Sequence, residues 1–339
     1  MSTGLDSARE VGMLKIALVG VGDWATHVHG PALAHYASEH PGQVELAAVC
    51  VRKSIARAKE FCDRFGFQRV YTDLDTMIST EKPGACWVIT PIGQTRAVAG
   101  YLMERGVPVL FEKPPGADLA EAQELAAISR RTGTPDMVAF NRRWAPCTRK
   151  ALEWAGTHGP VEHIHARMLR VDRMDHDFAY GTGIHLLDCV RALGEATIGR
   201  LRSARTARKR SDPGVWNFHV DLAFASGVSA RCDILPACGM LDESYTLYGP
   251  RHTIAYRLPW SGGAVKSDGE AQLWVEGELK ESQSWPLEPQ HLSSGFYGEA
   301  AEFIAALREG RRPYPSAEDA VDSVALAEAV QAGRDIVFD

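Results

Sequence analysis

The run Leu14-Lys15-Ile16-Ala17-Leu18-Val19-Gly20-Val21-Gly22-Asp23-Trp24-Ala25 constrains the fold more than any other stretch of the chain. Its apolar residues are continuous rather than alternating, which suits a strand covered on both faces, as in a parallel sheet. A Gly-x-Gly-x-x-Ala pattern then turns the strand into a helix. Gly20 permits the tight turn, Gly22 lets the backbone approach a pyrophosphate, and Ala25 allows the helix to pack closely on the strand. The free N–H groups at the helix start, around Asp23 and Trp24, face the phosphates. A short glycine pattern also occurs wherever a strand turns sharply, so its weight depends on the segments downstream of it.

At 339 residues the chain is long for one core and predicts two domains, with the 45% hydrophobic and 24% charged composition of an ordinary soluble protein. A formal net charge of -6 argues against nucleic acid or an anionic membrane surface as partner and for a small soluble ligand. Seven cysteines without a Cys-x-x-Cys pair read as reduced core thiols, not as a disulfide framework or a zinc site. They point to the cytoplasm. The polar start, with Asp6, Arg9 and Glu10, holds no hydrophobic signal segment, and no apolar run reaches membrane-spanning length.

After the glycine turn a helix runs towards Glu39, interrupted near Gly30 by Pro31. Val44–Val51 is a second strand, and its end faces the adenosine ribose in a dinucleotide fold. Arg52, Lys53 and Ser54 stand there with no carboxylate, a set that suits a ribose 2′-phosphate, so NADP is favoured over NAD. The plainer alternative is a solvated loop ahead of a helix capped by Ser54. Strand–helix alternation continues to Phe140, through Ala85–Thr90 with Pro91, Val107–Phe111, and Glu112-Lys113-Pro114. The pattern predicts a doubly wound parallel sheet over residues 12–142, with the glycine turn, Arg52–Ser54, Thr90-Pro91 and Glu112-Lys113 on one edge.

Beyond Trp144 the period changes to two. Phe218, Val220, Leu222 and Phe224 alternate with His219, Asp221 and Ala223, a turn follows at Ser226-Gly227, and Ala230, Cys232 and Ile234 resume the alternation. Residues 143–339 are therefore expected to form an α+β domain with a large, mainly antiparallel open sheet, whose aromatic face would pair copies of the chain. Gly183–Leu193 reads as a helix closed by Gly194, with His185 and Asp188 projecting together away from the packed side. His163 and His165 share one strand face but lack a third partner for a metal. Arg200–Arg210 reads as a solvated basic edge.

The fingerprint Gly20-x-Gly22-x-x-Ala25, Thr90-Pro91, Glu112-Lys113-Pro114, Asn141–Pro146 and Gly183-Ile184-His185-Leu186-Leu187-Asp188 resemble, in order and spacing, the Gfo/Idh/MocA oxidoreductase family, and the resemblance spans nearly the whole chain. It implies hydride transfer between nicotinamide C4 and the hydroxyl or keto carbon of a sugar, cyclitol or related compound. Lys113 would polarise the substrate oxygen. His185, with an ordinary pKa near 6.5, would be the acid/base. Arg143 and Trp144 are implied where cofactor and substrate meet, with core packing the alternative for Trp144; Tyr180 and Asp188 are expected at the substrate, with orientation of His185 or a helix-surface hydrogen bond the alternatives for Asp188; and the assembly is implied to be a homodimer or homotetramer. Two positions depart from the family: Gly181 stands where inositol dehydrogenase-like members carry an acid, with Asp175 and Asp177 nearby in sequence, and Thr95 replaces a frequent histidine. A redox-neutral, NAD-dependent glycoside hydrolase and a non-catalytic sugar or dinucleotide sensor are the alternatives.

Overall fold

The computed structural model describes residues 12–197, 199–211, 214–262 and 265–338. The polar segment 1–11, on which the expectation of no export signal rests, lies outside the described residues. The continuous apolarity of Leu14–Val19 does make a central strand, β1. It is followed by β2 (Val44–Cys50), β3 (Arg69–Tyr71), β4 (Ala85–Val88), β5 (Val109–Glu112) and β6 (Asp136–Ala139), all pairing in parallel in the order β3-β2-β1-β4-β5-β6. Helices α1 (Gly30–Glu39), α2 (Ile55–Phe65), α3 (Leu74–Glu81), α4 (Ile92–Glu104) and α5 (Leu119–Thr132) connect them. Strand order reverses between β1 and β4, the place where such sheets open a crevice beyond their carboxyl ends.

Pro31 does not interrupt the helix, whose backbone is helical from Asp23 to Glu39; a π-helical turn precedes the proline instead. The chain leaves β1 through this wide turn, Ala25–His29, which runs directly into α1 at Gly30, with Pro31 just past the junction. Ser54 occupies the N-cap position of α2, yet its side chain makes no cap hydrogen bond, which leaves the hydroxyl free.

The second half begins with a 3-10 turn, Asn141–Trp144, and helix α6 (Pro146–His158). Strands β7 (His163–Leu169), β8 (Leu201–Arg210), β9 (Trp216–Phe224), β10 (Ser229–Leu235), β11 (Asp242–Gly249) and β12 (His252–Arg257) come next. A ribbon of β13 (Trp260–Gly262) and β14 (Val265–Ser267) stands apart, and β15 (Gly269–Val275), β16 (Glu278–Trp285) and β17 (Ile336–Val337) complete the set. Nine of these form one sheet in the order β16-β15-β12-β11-β7-β10-β9-β8-β17, antiparallel except between β7 and β10. Helices α7 (Ile184–Thr197), α8 (Gln290–Ser293), α9 (Phe296–Glu309) and α10 (Ala317–Ala332) belong to this half.

Three expectations change here. Gly194 does not close α7 but lies inside it, because a Cβ there would stand 2.2 Å from the Phe224 ring: the glycine exists for close packing. His185, Asp188 and Arg191 are all buried, so α7 has no solvated polar face. The open face of the large sheet is also less aromatic than the alternation suggested. Phe218, Tyr245 and Tyr256 point inward, while His163, His165, Arg167, Asp221, Ser244 and Thr246 point outward with exposed Tyr248 and Trp274. His163 bonds Ser229, and His165 and His219 both bond Asp233. The basic stretch is β8, mostly exposed at its carboxyl end and held between β9 and β17.

The two halves share a core. Helix α9 returns to the parallel sheet, where Ala300, Phe303 and Ile304 pack with Ile16, Leu18, Trp87, Leu110 and Met137. At the other end Asp136 on β6 accepts from Ser129 and from the first backbone N–H of α10, Ala317, at 2.5 Å. All seven cysteines are unpaired, six of them buried.

Candidate active site

The carboxyl ends of the parallel strands border a cleft of about 1060 Å³. Gly20, Gly22, Asp23 and Trp24 form one wall, Arg52, Lys53, Ser54 and Arg57 a second, and Thr90 and Pro91 a third. Glu112, Lys113, Asp177 and Gly181 close its far end. Gly20 has φ +94°, and a Cβ there would lie 2.3 Å from the Ile89 carbonyl oxygen, so no other residue fits the turn. A Cβ on Gly22 would meet nothing within 4 Å, which leaves bare backbone facing open space. That is the cradle a pyrophosphate requires at a turn into a helix. Ala25 is fully buried against the strand. The residues present thus fit a nicotinamide dinucleotide, with four polar groups (Arg52, Lys53, Ser54, Arg57) at the ribose edge.

Neighbouring contacts set the walls. Arg57 donates to the Asp23 carboxylate at 2.7 Å, and this ion pair holds the Asp23 carboxyl below its ordinary range. Trp24 is 56% exposed and stacks on Phe296 at 6.2 Å. Thr95, at the position of the absent histidine, is buried with its hydroxyl 3.4 Å from that of Thr90.

Lys113 follows β5 on a cis peptide to Pro114 and is partly buried. Its ammonium donates to the Gly181 carbonyl at 2.8 Å, in the π-helical turn Ala179–Gly183 that precedes α7. Burial, assisted by Arg142 and Arg173 and opposed by Glu112 and Glu243, brings its pKa down to about 8. Gly181 lacks a side chain, but the Asp177 carboxylate lies 3.7 Å from where its Cβ would be, and it borders the same cleft.

His185 sits one turn further along and is 7% exposed. Arg142 Nη1 approaches its Nε2 at 3.5 Å, and Nδ1 has no hydrogen-bond partner. Burial and the charges of Arg142, Lys113 and Arg170 push the imidazole well below its ordinary range. These surroundings favour the neutral ring over the imidazolium. Arg142, passed over in the sequence for its neighbours, is anchored by Glu243 at 3.3 Å, and Glu243 also binds the buried Arg170. Both guanidinium groups hold the Glu243 carboxyl, against its burial, at about 2.

Four expected substrate contacts do not reach the cleft. Arg143 donates through two nitrogens to Asp188 at 2.8 and 2.7 Å, and Asp188, fully buried, also accepts from Ser323. That pair ties the Asn141–Trp144 turn to α7 and α10. Trp144 borders a separate apolar pocket with Leu152, Leu193 and Tyr314. Tyr180 is buried and donates to the Gly116 carbonyl at 3.0 Å, which secures the loop after Lys113. The alternation of polar residues along α7 could not reveal this, since Ile184–Arg191 is buried all round.

Among the described residues no group of three or more His, Cys, Asp or Glu side chains is placed to hold a metal, and no helix is long and apolar enough to cross a membrane. Comparison with known proteins sets this geometry beside that of relatives. The family model described as "Oxidoreductase family, NAD-binding Rossmann fold" matches residues 14–140, and "Oxidoreductase family, C-terminal alpha/beta domain" matches residues 175–334. D-apiose dehydrogenase of Paraburkholderia graminis is 25% identical over 338 residues, covering 93% of this chain and 86% of the relative. GenD2 from gentamicin A biosynthesis, solved in complex with NAD, shares the fold with a TM-score of 0.74 at 23% identity over 100% of both chains. KijD10, a 3-ketoreductase from Actinomadura kijaniata solved with NADP and TDP-benzene, does so with a TM-score of 0.72 at 21% identity over 96% of this chain and 100% of that one.

Proposed function

This chain belongs to the Gfo/Idh/MocA oxidoreductase family, and we propose that, as a dehydrogenase or reductase of that family, it interconverts a hydroxyl and a keto carbon on a sugar, cyclitol or related polyol, with Lys113 carrying the proton. The observation that bears most on this reading is the lysine ammonium in the wall of the dinucleotide cleft, tethered at 2.8 Å to the Gly181 carbonyl and brought to a pKa of about 8. A bound nicotinamide dinucleotide supplies or accepts the hydride. The residues of this chain do the rest. Gly20, Gly22 and the helix start hold the pyrophosphate, Thr90 and Pro91 border the middle of the cleft, and Arg52, Lys53 and Ser54, with Arg57, favour the 2′-phosphate of NADP.

In reduction the Lys113 ammonium donates a proton to the oxygen as it gains negative charge, and in oxidation the free amine takes the hydroxyl proton. His185 remains a neutral imidazole beside Arg142, a hydrogen-bonding partner for the substrate rather than a store of protons. Asp177, free to accept from a second hydroxyl, favours a polyol over a simple ketone. The name of the D-apiose relative supports a sugar as the class of substrate.

Lys113→Met tests the reading. NADPH or NADH binding, followed by nicotinamide fluorescence, is expected to stay within a few fold of the parent, while turnover of a sugar substrate falls by about 10²–10⁴. Full turnover in the variant overturns the assignment of Lys113.

A further inference from the structure

Glu112, immediately before Lys113, borders the end of the cleft and leads into a buried line of ionisable side chains behind it to which the cleft chemistry gives no role. Its Oε1 accepts from His29 Nε2 at 2.8 Å, and its Oε2 accepts the Lys113 backbone N–H at 3.1 Å. His29, on the wide turn after β1, is 1% exposed and presents Nδ1 to Glu299 Oε1 at 3.8 Å. Glu299, on α9, is fully buried, and neither of its carboxyl oxygens has a hydrogen-bond partner. Three segments remote in sequence thus contribute one ionisable group each to a place that apolar side chains would fill more simply.

The order of donors is set by the chemistry of the groups. A carboxylate accepts only, so the His29–Glu112 bond puts the imidazole proton on Nε2 and leaves Nδ1 as an acceptor. Burial and the nearby charge of Glu112 push the Glu299 carboxyl well above its ordinary range, so it keeps its proton and has an O–H to turn towards Nδ1. Burial alone would raise the Glu112 carboxyl too, but the hydrogen bond from His29, with the charge and backbone N–H of Lys113, holds it below its ordinary range.

We propose that Glu299 and His29 are positioning residues for Lys113: they keep Glu112 ionised and aligned behind the cleft, and the Glu112 charge in turn supports the Lys113 ammonium against its burial. The proposal rests on the reading of Lys113 as the proton-carrying group. The other charged and titratable groups around Lys113 are Arg142 from the turn after β6, Arg173 from the loop after β7, Glu243 from β11 and His185 from α7, with the exposed Asp177 bordering the same end of the cleft. Glu299 faces Glu112 and Arg142, and Glu112 faces His29 and Lys113. Both arginines oppose the ammonium. Glu243 is already bound by Arg142 and Arg170, which leaves Glu112 as the nearby anion whose state a neighbour sets.

The test reads Lys113 directly. Reductive methylation of the intact, ligand-free protein across a pH series, with Lys113 followed by peptide mass spectrometry, gives its titration midpoint without substrate or turnover. His29→Phe is expected to lower the midpoint by roughly one pH unit, the order of effect of losing a neighbouring opposite charge. Glu299→Leu should lower it by less, and Glu299→Gln, which keeps an N–H for Nδ1, should leave it in place. A midpoint unmoved in folded His29→Phe or Glu299→Leu overturns the proposal, as does a shift in Glu299→Gln equal to that of Glu299→Leu. Should those variants not fold, Glu112→Gln decides: an unmoved midpoint overturns the proposal, and a lowered one supports it. Full turnover in Lys113→Met together with a shifted midpoint refutes the functional reading while the positioning line stands.

Discussion

At Lys113 opposing influences leave a lysine that changes charge within the working range of an enzyme. Burial, Arg142 and Arg173 disfavour the ammonium, Glu112 and Glu243 favour it, and the balance falls at about 8. That balance gives the pH dependence its sign. Reduction needs the ammonium, so its kcat/KM should be level below about pH 8 and fall tenfold per unit above it. Oxidation needs the amine and should rise through the same value. Profiles in both directions check this, and a limb near pH 6.5 instead would restore His185 as the proton carrier. The sequence marked Lys113 by its place after an apolar strand, whereas the state of His185 depends on Arg142 and Arg170, which approach from the Asn141–Trp144 turn and the end of β7. No spacing within the Gly183–Asp188 motif contains that information.

Elements were more legible than side-chain partners. The parallel strands, the turn at Gly20 and the β9–β10 hairpin follow from apolar runs, a left-handed glycine and period two. Gly194 was misleading because the same residue serves a helix end and a helix packed too closely for a methyl group. Gly194→Ala should lower stability by about 1–3 kcal/mol by driving a methyl into Phe224, read as a lower melting temperature with dinucleotide binding retained. The loop Arg52–Ser54 between β2 and α2 carries a second test. Arg52→Asp should weaken NADPH binding at least tenfold and spare NADH in fluorescence titrations at matched ionic strength. Equal loss of both, or none, removes Arg52 from cofactor choice.

For the whole molecule, the large sheet buries one face under α6, α7 and α10 and presents the other, nine strands wide, to its surroundings. Its outward residues are charged and hydroxyl-bearing, with Tyr248 and Trp274 among them, so pairing between copies would depend on hydrogen bonds and ion pairs more than on aromatic burial. Sedimentation velocity is expected to give a dimer or tetramer that Thr246→Arg dissociates. A single copy at micromolar concentration overturns that expectation.

The return of α9 to the parallel sheet has a practical meaning for anyone who would cut and recombine this chain. Phe303 packs edge-on against Trp87 at 5.3 Å, and Ala300 and Ile304 cover the same surface. A fragment stopped near residue 142 would expose that apolar patch to water and should self-associate. A chimera exchanging the second half must therefore carry this chain's own Phe296–Glu309 segment, or graft its apolar face onto the incoming helix.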